Sequence, residues 1–200
     1  MSAICNDFEQ RIAWEAYSDA MQSAALGIPT HQSELDLPPV ADVRIRDLAP
    51  IMRVSGNGVE LAAMRWGFPP GRPGAGPVFN FGSEGRKFDP AWRCLAPASA
   101  FFEFTGAKSP KAKHRFTLDG EPFMAIAGFW RPGRDGEPPD FTLLTTSPGP
   151  DVEPYHNRQI VILRRADWPA WLYATKPEAE LLQPLPAGSL TAETVRAASG

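Results

Sequence analysis

The chain has 200 residues, of which 43% are hydrophobic and 22% are charged, so it can bury the core of one domain. Its 20 Lys and Arg against 23 Asp and Glu give a net charge of −3, which excludes a polybasic binder of the histone type. The sequence has no run of 18 apolar residues, and its first thirty residues lack the basic and apolar blocks of a secretory signal. We therefore expect a cytoplasmic protein that makes no membrane contact.

The charge is distributed unevenly along the chain. Residues 1–42 hold seven acidic residues and one basic residue, whereas residues 43–172 carry a net charge of +4. A basic face built by the middle segment is one interpretation of this pattern. Scattered, solvated charge is the other.

The first predicted element is a helix that begins near the amino terminus. Asn6 can cap it, with Glu9 three residues further on as in a capping box. Phe8 and Ile12 begin an apolar stripe at four-residue spacing, and Gly27 ends the helix. Because a helix start favours a thiolate, this helix would lower the pKa of a cysteine that precedes it.

An irregular, acidic loop is expected over residues 28–42, and a series of short strands after it. The chain has 17 Gly and 22 Pro, which leave little room for long helices. Asp167 and Pro177 suit the starts of two short helices near the carboxyl end. The pattern predicts one α+β domain, rich in antiparallel strands. The predicted strands are Val43–Ile45, Ile51–Val54, Val59–Trp66, Val78–Phe81, Trp92–Leu95, Phe101–Phe104, Arg115–Leu118, Phe123–Trp130 and Phe141–Thr146.

Cysteine and histidine usage restricts the chemistry. Two cysteines do not make a disulfide framework. Cys94 has the sequence context of a buried, inert thiol. Cys5 is either a small hydrophobic residue or the activated thiol at the predicted helix start. The histidines, His31, His114 and His156, are far apart in sequence and no Cys-x-x-Cys occurs. We therefore predict no metal site and no cofactor.

Three residues have both a functional and a structural interpretation. Glu103 interrupts the apolar run Ala100–Phe104; a buried carboxyl there suits acid–base work, and the alternative is a strand with one face in water. His156 lies in a predicted loop, as a catalytic residue or as a surface residue. Trp66 is either a core aromatic or a platform on which a nucleobase stacks.

Five segments, taken together and in order, resemble the SOS response-associated peptidase (SRAP) family of abasic-site crosslinking proteins. The family patterns are Met-Cys-Asn, Trp-Gly-x-x-Pro, Asn-Ala-Arg-Ser-Glu, Arg-Cys-Leu-x-Pro-Ala-x-Gly-Phe-Tyr-Glu-Trp and Thr-Thr followed by His-x-Arg-Met-Pro-Val-Ile-Leu. The matching residues here are Cys5 and Asn6; Trp66, Gly67 and Pro70; Asn80, Ser83 and Glu84; Arg93, Cys94, Leu95, Pro97, Ala98, Phe101 and Glu103; and Thr145, Thr146, His156, Arg158, Val161, Ile162 and Leu163.

The resemblance implies a fold and an organisation. The expected fold is a single domain over residues 1–200, with curved, mainly antiparallel sheets that form an incomplete barrel and with peripheral helices. Residues 1–4 are then a removable extension ahead of Cys5, and residues 175–200 a carboxyl-terminal extension. A monomer is expected.

The resemblance also implies a function. Family members expose an amino-terminal cysteine whose amine and thiol join the aldehyde of an abasic site in single-stranded DNA as a covalent thiazolidine. They also have an associated self-processing peptidase and a lyase-like activity. The residues to which the resemblance gives roles are Cys5 as nucleophile, Glu103, His156 and Asn80 as catalytic groups, and Trp66, Pro70, Asn80 and Arg158 as DNA contacts.

Two departures from the family pattern affect this expectation. Four residues precede Cys5, and Gly82 stands where the family has an arginine that suits a phosphate contact. Two other classes of function stay open. One is an amide hydrolase without a DNA role, and the other is a non-catalytic single-strand binder with a blocked cysteine.

Overall fold

The computed structural model describes residues 5–28, 39–56, 58–134 and 136–198. Short 3-10 turns are formed by Pro90–Trp92 and by Arg165–Asp167. The elements in these ranges are β1 Asp7–Gln10, α1 Trp14–Ser23, β2 Val40–Arg44, β3 Leu48–Ser55, β4 Gly58–Trp66, β5 Asn80–Gly82, β6 Arg93–Ala98, β7 Ala100–Thr105, β8 Ala112–Leu118, β9 Met124–Arg131, β10 Asp140–Thr146, β11 Gln159–Ile160, β12 Ile162–Leu163, α2 Trp168–Leu172, α3 Glu178–Leu181 and β13 Leu190–Arg196.

The strands form two sheets. One has five strands in the order β13-β8-β7-β1-β2, with antiparallel neighbours throughout. The other has eight strands. Seven follow the order β11-β10-β4-β3-β6-β9-β12, and the eighth, β5, pairs in parallel with β10. Further pairing of β9 with β10 curls this sheet back on itself without closing it into a barrel. The predicted α+β domain with curved sheets and few helices is therefore confirmed.

Both faces of the eight-stranded sheet are covered. One apolar cluster lies between this sheet and the helices, and it includes Leu95 of β6 and Trp171 of α2. A second cluster lies between the two sheets, and it includes Cys94 and Ala96 of β6. Alternation along a strand sends successive side chains to opposite faces, so β6 is buried along its whole length. None of the described helices is long and apolar enough to cross a membrane.

The predicted amino-terminal helix was wrong in its start. Asp7–Gln10 forms strand β1, and the helix begins only at Trp14, with Ala13 as an N-cap that provides no side-chain hydrogen bond. Phe8 pairs with Phe101 of β7 and is fully buried between the sheets. This central position in a sheet outweighs the local helical pattern, because burial of an aromatic ring contributes more than a helix cap.

The remaining predictions of secondary structure had mixed outcomes. Part of the predicted loop over 28–42 is strand β2, while residues 29–38, with His31, lie outside the described residues. The predicted strands from 51 to 146 all have counterparts, and so do the two short helices. Strand β13 was missed because only its first residue, Leu190, is buried, so that no apolar alternation reveals it.

Arg93 links the eight-stranded sheet to the helices. Its guanidinium is buried, donates to the backbone oxygens of Phe88 and Trp171, and forms an ion pair with Glu178 at 2.6 Å. The same group lies over the Trp171 ring at 4.4 Å from the centroid. Burial lowers the pKa of this guanidinium, and its hydrogen bonds offset the cost of removing the charge from water.

We predict that Arg93→Ala lowers the free energy of unfolding by about 3 kcal/mol, because it leaves buried carbonyl groups without a donor. Urea denaturation of the purified variant measures the change. Lys176→Ala is the control, since it removes an exposed ion pair with Asp167 and should leave the free energy of unfolding nearly unchanged. Equal effects of the two substitutions would contradict this assignment.

Candidate active site

Cys5 lies at the junction of the two sheets, directly before β1. Its side chain is fully buried, and its backbone φ of +30° lies in the left-handed region. The pairing of Phe8 with Phe101 brings the beginning of β1 beside the second half of β7, where Glu103 lies. As a result, the Cys5 backbone N–H donates to Glu103 Oε1 at 3.2 Å.

A second side chain holds the Cys5 backbone from the opposite sheet. Asn80 is the first residue of β5, and its Nδ2 donates to the Cys5 carbonyl oxygen at 3.3 Å. Glu103 and Asn80 belong to different sheets, so the Cys5 backbone bridges the two sheets. The structure therefore brings together three of the four residues that the sequence proposes as catalytic.

The Glu103 carboxyl is buried without a cation beside it. Its exposed fraction is 0%, and burial raises its pKa to about 8, with the Cys5 N–H acting in the opposite direction. Oε2 has no hydrogen-bond partner among the described residues. A carboxyl in this setting gains and loses a proton near neutral pH, which suits acid–base work.

The Cys5 thiol differs from the activated thiol that the sequence predicts. Burial, followed by the nearby Glu103, raises its pKa well above the ordinary value. The reason is that Cys5 precedes a strand, so no helix dipole stabilises a thiolate. Sγ lies 3.7 Å from the Asp7 carbonyl oxygen, to which the thiol donates. Cys94 is likewise buried, and burial raises its thiol pKa, as expected for an inert core residue.

His156 lies in the loop between β10 and β11. Its Nδ1 accepts from the Arg158 backbone N–H at 3.1 Å, and no hydrogen bond joins it to Cys5 or Glu103 in the described part of the chain. The preceding residue, Tyr155, packs its ring on His114 at a centroid distance of 4.7 Å. This contact holds the loop that carries His156 against the sheet that carries Glu103.

Arg158 lies beside β5. Its guanidinium pairs with the Glu84 carboxylate and donates to Thr145 Oγ1 at 3.0 Å. Arg158 also lowers the pKa of Glu84. Gly82 is adjacent, since a Cβ there would be 3.4 Å from both Arg158 Nη2 and Glu84 Oε2. The position at which the family has an arginine is therefore Gly82 here, and it lies next to Arg158, which is already paired with Glu84.

The two remaining predicted DNA contacts, Trp66 and Pro70, differ in their exposure to solvent. Trp66 is fully buried, donates from Nε1 to the Phe79 carbonyl at 3.0 Å and packs edge-on against Phe8. We therefore assign Trp66 to the core and withdraw the stacking role, because a fully buried ring presents no face to a nucleobase. Pro70 is exposed and lines a cavity of about 590 Å³ together with Arg134.

His114 is a buried polar residue to which the sequence analysis gave no role. It is the cross-strand partner of Glu103, and its ring nitrogens hydrogen-bond Thr105 Oγ1 at 2.7 Å and Thr194 Oγ1 at 3.0 Å. Burial lowers its pKa, so it adds no positive charge beside Glu103 at neutral pH. A period-two alternation through Phe116 was the signal that could have identified it.

Comparison with known proteins agrees with this description. The family model of the SOS response associated peptidase (SRAP) matches residues 4–199. A solved structure of a protein from Bordetella bronchiseptica is similar with 26% identity and a TM-score of 0.71, covering 96% of this chain and 100% of that chain. No match among curated proteins was found.

Two further solved structures share the fold. A phage-related protein from Bordetella bronchiseptica has 20% identity and a TM-score of 0.72, over 96% of this chain and 94% of that one. A protein from Bacteroides thetaiotaomicron has 19% identity and a TM-score of 0.68, over 94% and 92%. The curved two-sheet architecture is thus common to this group, and the chain belongs to the SRAP family.

The raised pKa of Glu103 predicts how stability changes with pH. Because the folded chain keeps this proton up to about pH 8 and the unfolded chain loses it near 4.5, the free energy of unfolding falls between these values. Glu103→Gln cannot ionise, so its stability relative to the wild type should rise by about 3 kcal/mol from pH 5 to pH 8.

Urea denaturation at the two pH values measures this difference. Glu180→Gln, at an exposed position on α3, is the matched control and should show no comparable change. A Glu103→Gln variant that follows the wild type at both pH values would show that the carboxyl titrates normally.

Proposed function

We propose that this protein recognises abasic sites in single-stranded DNA and joins them covalently through Cys5 after residues 1–4 have been removed. The observation that carries this proposal is the 3.2 Å hydrogen bond between the Cys5 nitrogen and Glu103. When Cys5 is the amino terminus, the same nitrogen is an α-amine, and the buried carboxyl is already in contact with it. Family membership supports a role of this kind.

In a chain that begins at Cys5, the α-amine and the Glu103 carboxyl exchange a proton directly. Burial raises the pKa of Glu103 to about 8 while the Cys5 nitrogen is a backbone amide. Because burial favours the neutral carboxyl, it assists proton transfer from the ammonium to the carboxylate, and this transfer leaves a neutral amine. This amine adds to the aldehyde carbon of the open deoxyribose, and Glu103 returns the proton to the hydroxyl that leaves as water, which gives an imine.

Ring closure then uses the thiol of the same residue. The Cys5 sulfur adds to the imine carbon, its proton passes to the imine nitrogen, and a thiazolidine results without any oxidant. The raised thiol pKa suits this order of events, because a neutral thiol does not compete with the amine for the aldehyde. Asn80 holds the Cys5 carbonyl and fixes the direction of the amine.

Exposure of the amine requires cleavage of the bond between Ile4 and Cys5. We propose that the Cys5 thiol attacks the Ile4 carbonyl carbon, that Glu103 takes the thiol proton and passes it to the departing Cys5 nitrogen, and that water hydrolyses the thioester so formed. The left-handed backbone at Cys5 supports this route, since strain at the residue is relieved on cleavage. His156 is assigned to proton transfer at the sugar.

We expect only a chain that begins at Cys5 to form an adduct with an abasic oligonucleotide that resists denaturation. An acylated nitrogen cannot form an imine, so a chain that retains Ile4 should give at most a reversible thiol adduct. Denaturing gel electrophoresis detects the adduct, and intact-mass measurement establishes the first residue. A chain that begins Met-Cys5, whose Met the host removes, supplies the exposed cysteine directly.

The Cys5→Ser variant of that shortened chain is the control, because it keeps the amine and loses ring closure. A folded chain beginning at Cys5 that gives no adduct would reject the crosslinking function and leave the binder. Cleavage of other amide substrates by this chain would favour the hydrolase. If Glu103→Gln leaves residues 1–4 attached in the full chain, the cleavage is self-catalysed.

We predict that Gly82→Arg strengthens non-covalent binding to undamaged single-stranded DNA. Glu84 can pair with only one arginine in the bidentate manner, so the variant frees a guanidinium for phosphate. The slope of log affinity against log salt should steepen by about 0.7, the value for one added phosphate contact. Fluorescence anisotropy over a salt series measures it.

Gly82→Gln is the matched control, since it adds a side chain of similar length without charge. Position 82 tolerates both, because the atoms nearest to a Cβ are the ends of flexible side chains and φ lies outside the left-handed region. Equal affinities and salt slopes for the two variants would show that DNA does not pass this position.

A further inference from the structure

A second cavity opens beside the eight-stranded sheet, and Cys5 is not among its lining residues. Its volume is about 550 Å³, and Phe81, Phe88 and Phe129 in its lining also contact the helix-side apolar cluster. In β5, Asn80 faces Cys5, so alternation sends the next residue, Phe81, to the other face. The proposed chemistry at Cys5 therefore makes no use of this cavity, which we call the aromatic pocket.

Tryptophan rings form one side of the aromatic pocket. Trp92 is 38% exposed, which is uncommon for so large an apolar side chain, and it packs edge-on against Trp130 at a centroid distance of 5.0 Å. Arg53 lies over the Trp130 ring at 4.3 Å and supports it. The pocket thus presents an accessible aromatic face on a fixed base.

Cations surround these rings. Arg86 and Lys87 are exposed, and Arg131 lies over the Phe68 ring at 4.2 Å. The single acid in the lining, Asp89, uses one carboxylate oxygen to accept from the Ala91 N–H at 2.9 Å. Aromatic walls with a positive rim match a planar base that carries a phosphate.

We propose that the aromatic pocket binds a nucleobase of the single strand that flanks the abasic position, with Trp92 as the stacking platform and Lys87 as the phosphate contact. This proposal rests on the proposed function. It adds a second subsite to the proposed site at Cys5, with Phe81, Phe88 and Phe129 from the helix side of the sheet and Trp130 from the side of the inter-sheet cluster in its lining.

One strand can reach both subsites around β5. Asn80 and Phe81 are consecutive residues, and β5 pairs with β10 and with no other strand in the described ranges. Arg86 lies shortly after β5 and over the Phe81 ring at 4.5 Å, so a cation lies between β5 and the aromatic pocket.

The test uses the full chain and an undamaged fluorescein-labelled oligothymidylate, whose binding does not depend on Cys5. Anisotropy titration should show that Trp92→Ala weakens binding about tenfold and that Lys87→Ala weakens it and flattens the salt slope. Tyr173→Ala and Lys176→Ala are the matched controls. Tyr173 is 44% exposed and Lys176 is also exposed, and both lie outside the pocket.

Oligonucleotide length provides a second measurement. This measurement uses chains that begin at Cys5, with and without Trp92→Ala. When the oligonucleotide has only one nucleotide on each side of the abasic site, both chains should form adduct equally well. With six nucleotides on each side, the variant should need about tenfold more DNA for half-maximal adduct. Circular dichroism confirms that each variant is folded.

The outcomes separate this proposal from the proposed function. Equal binding by the Trp92 and Tyr173 variants would overturn the pocket, even where the adduct forms normally. If Trp92→Ala loses oligothymidylate binding and the unsubstituted chain that begins at Cys5 forms no adduct, the pocket is supported and the crosslinking function is rejected. Thymidine monophosphate that binds as tightly as the oligonucleotide would overturn the assignment to a strand.

Discussion

The structure depends on a buried carboxyl held against a backbone nitrogen at the junction of two sheets. Glu103 lies on the five-stranded sheet, Asn80 on the eight-stranded sheet, and the Cys5 backbone joins them through one hydrogen bond to each. Removing a carboxyl from water without a cationic partner favours its neutral form, and this raises the pKa of Glu103 to about 8. Such a group costs stability at neutral pH. In the proposed reaction the proton of this carboxyl has a use, because the nitrogen that it contacts is the atom whose proton moves.

The layers of the fold place a polar contact inside apolar surroundings. Helices cover one face of the eight-stranded sheet and the second sheet covers the other, and Cys5 belongs to the apolar cluster between the two sheets. Arg93 fastens the helix layer through its contacts with Trp171 and Glu178. Within the five-stranded sheet, Lys113 of β8 forms an ion pair with Asp7 of β1 at 2.7 Å. Burial raises the pKa of Asp7 to about 6, which makes this pair another titratable contact close to Cys5.

In the proposed function, Trp66 and Trp92 have different roles. Trp66 packs in the core against Phe8, whereas Trp92 is exposed and lines the aromatic pocket. Stacking requires an accessible ring face, so exposure decides which tryptophan can serve. Likewise, Arg158, which lies next to Gly82, is paired with Glu84. The proposed phosphate contact is therefore Lys87, one of the cations around the aromatic pocket.

The amino-acid sequence by itself determined the α+β class, most strand positions and the unusual place of Glu103, because period-two alternation and a misplaced carboxyl are local signals. It also carried the family resemblance, on which the choice of Asn80 and the nucleophile role of Cys5 rest, since the matching motifs are contiguous. Only the tertiary structure decided that Asp7–Gln10 is a strand, that the Cys5 thiol has a raised pKa and that His114 stands opposite Glu103. Each of these properties arises from partners distant in sequence. Strand pairing and burial are set by those partners, and a local pattern contains no information about them.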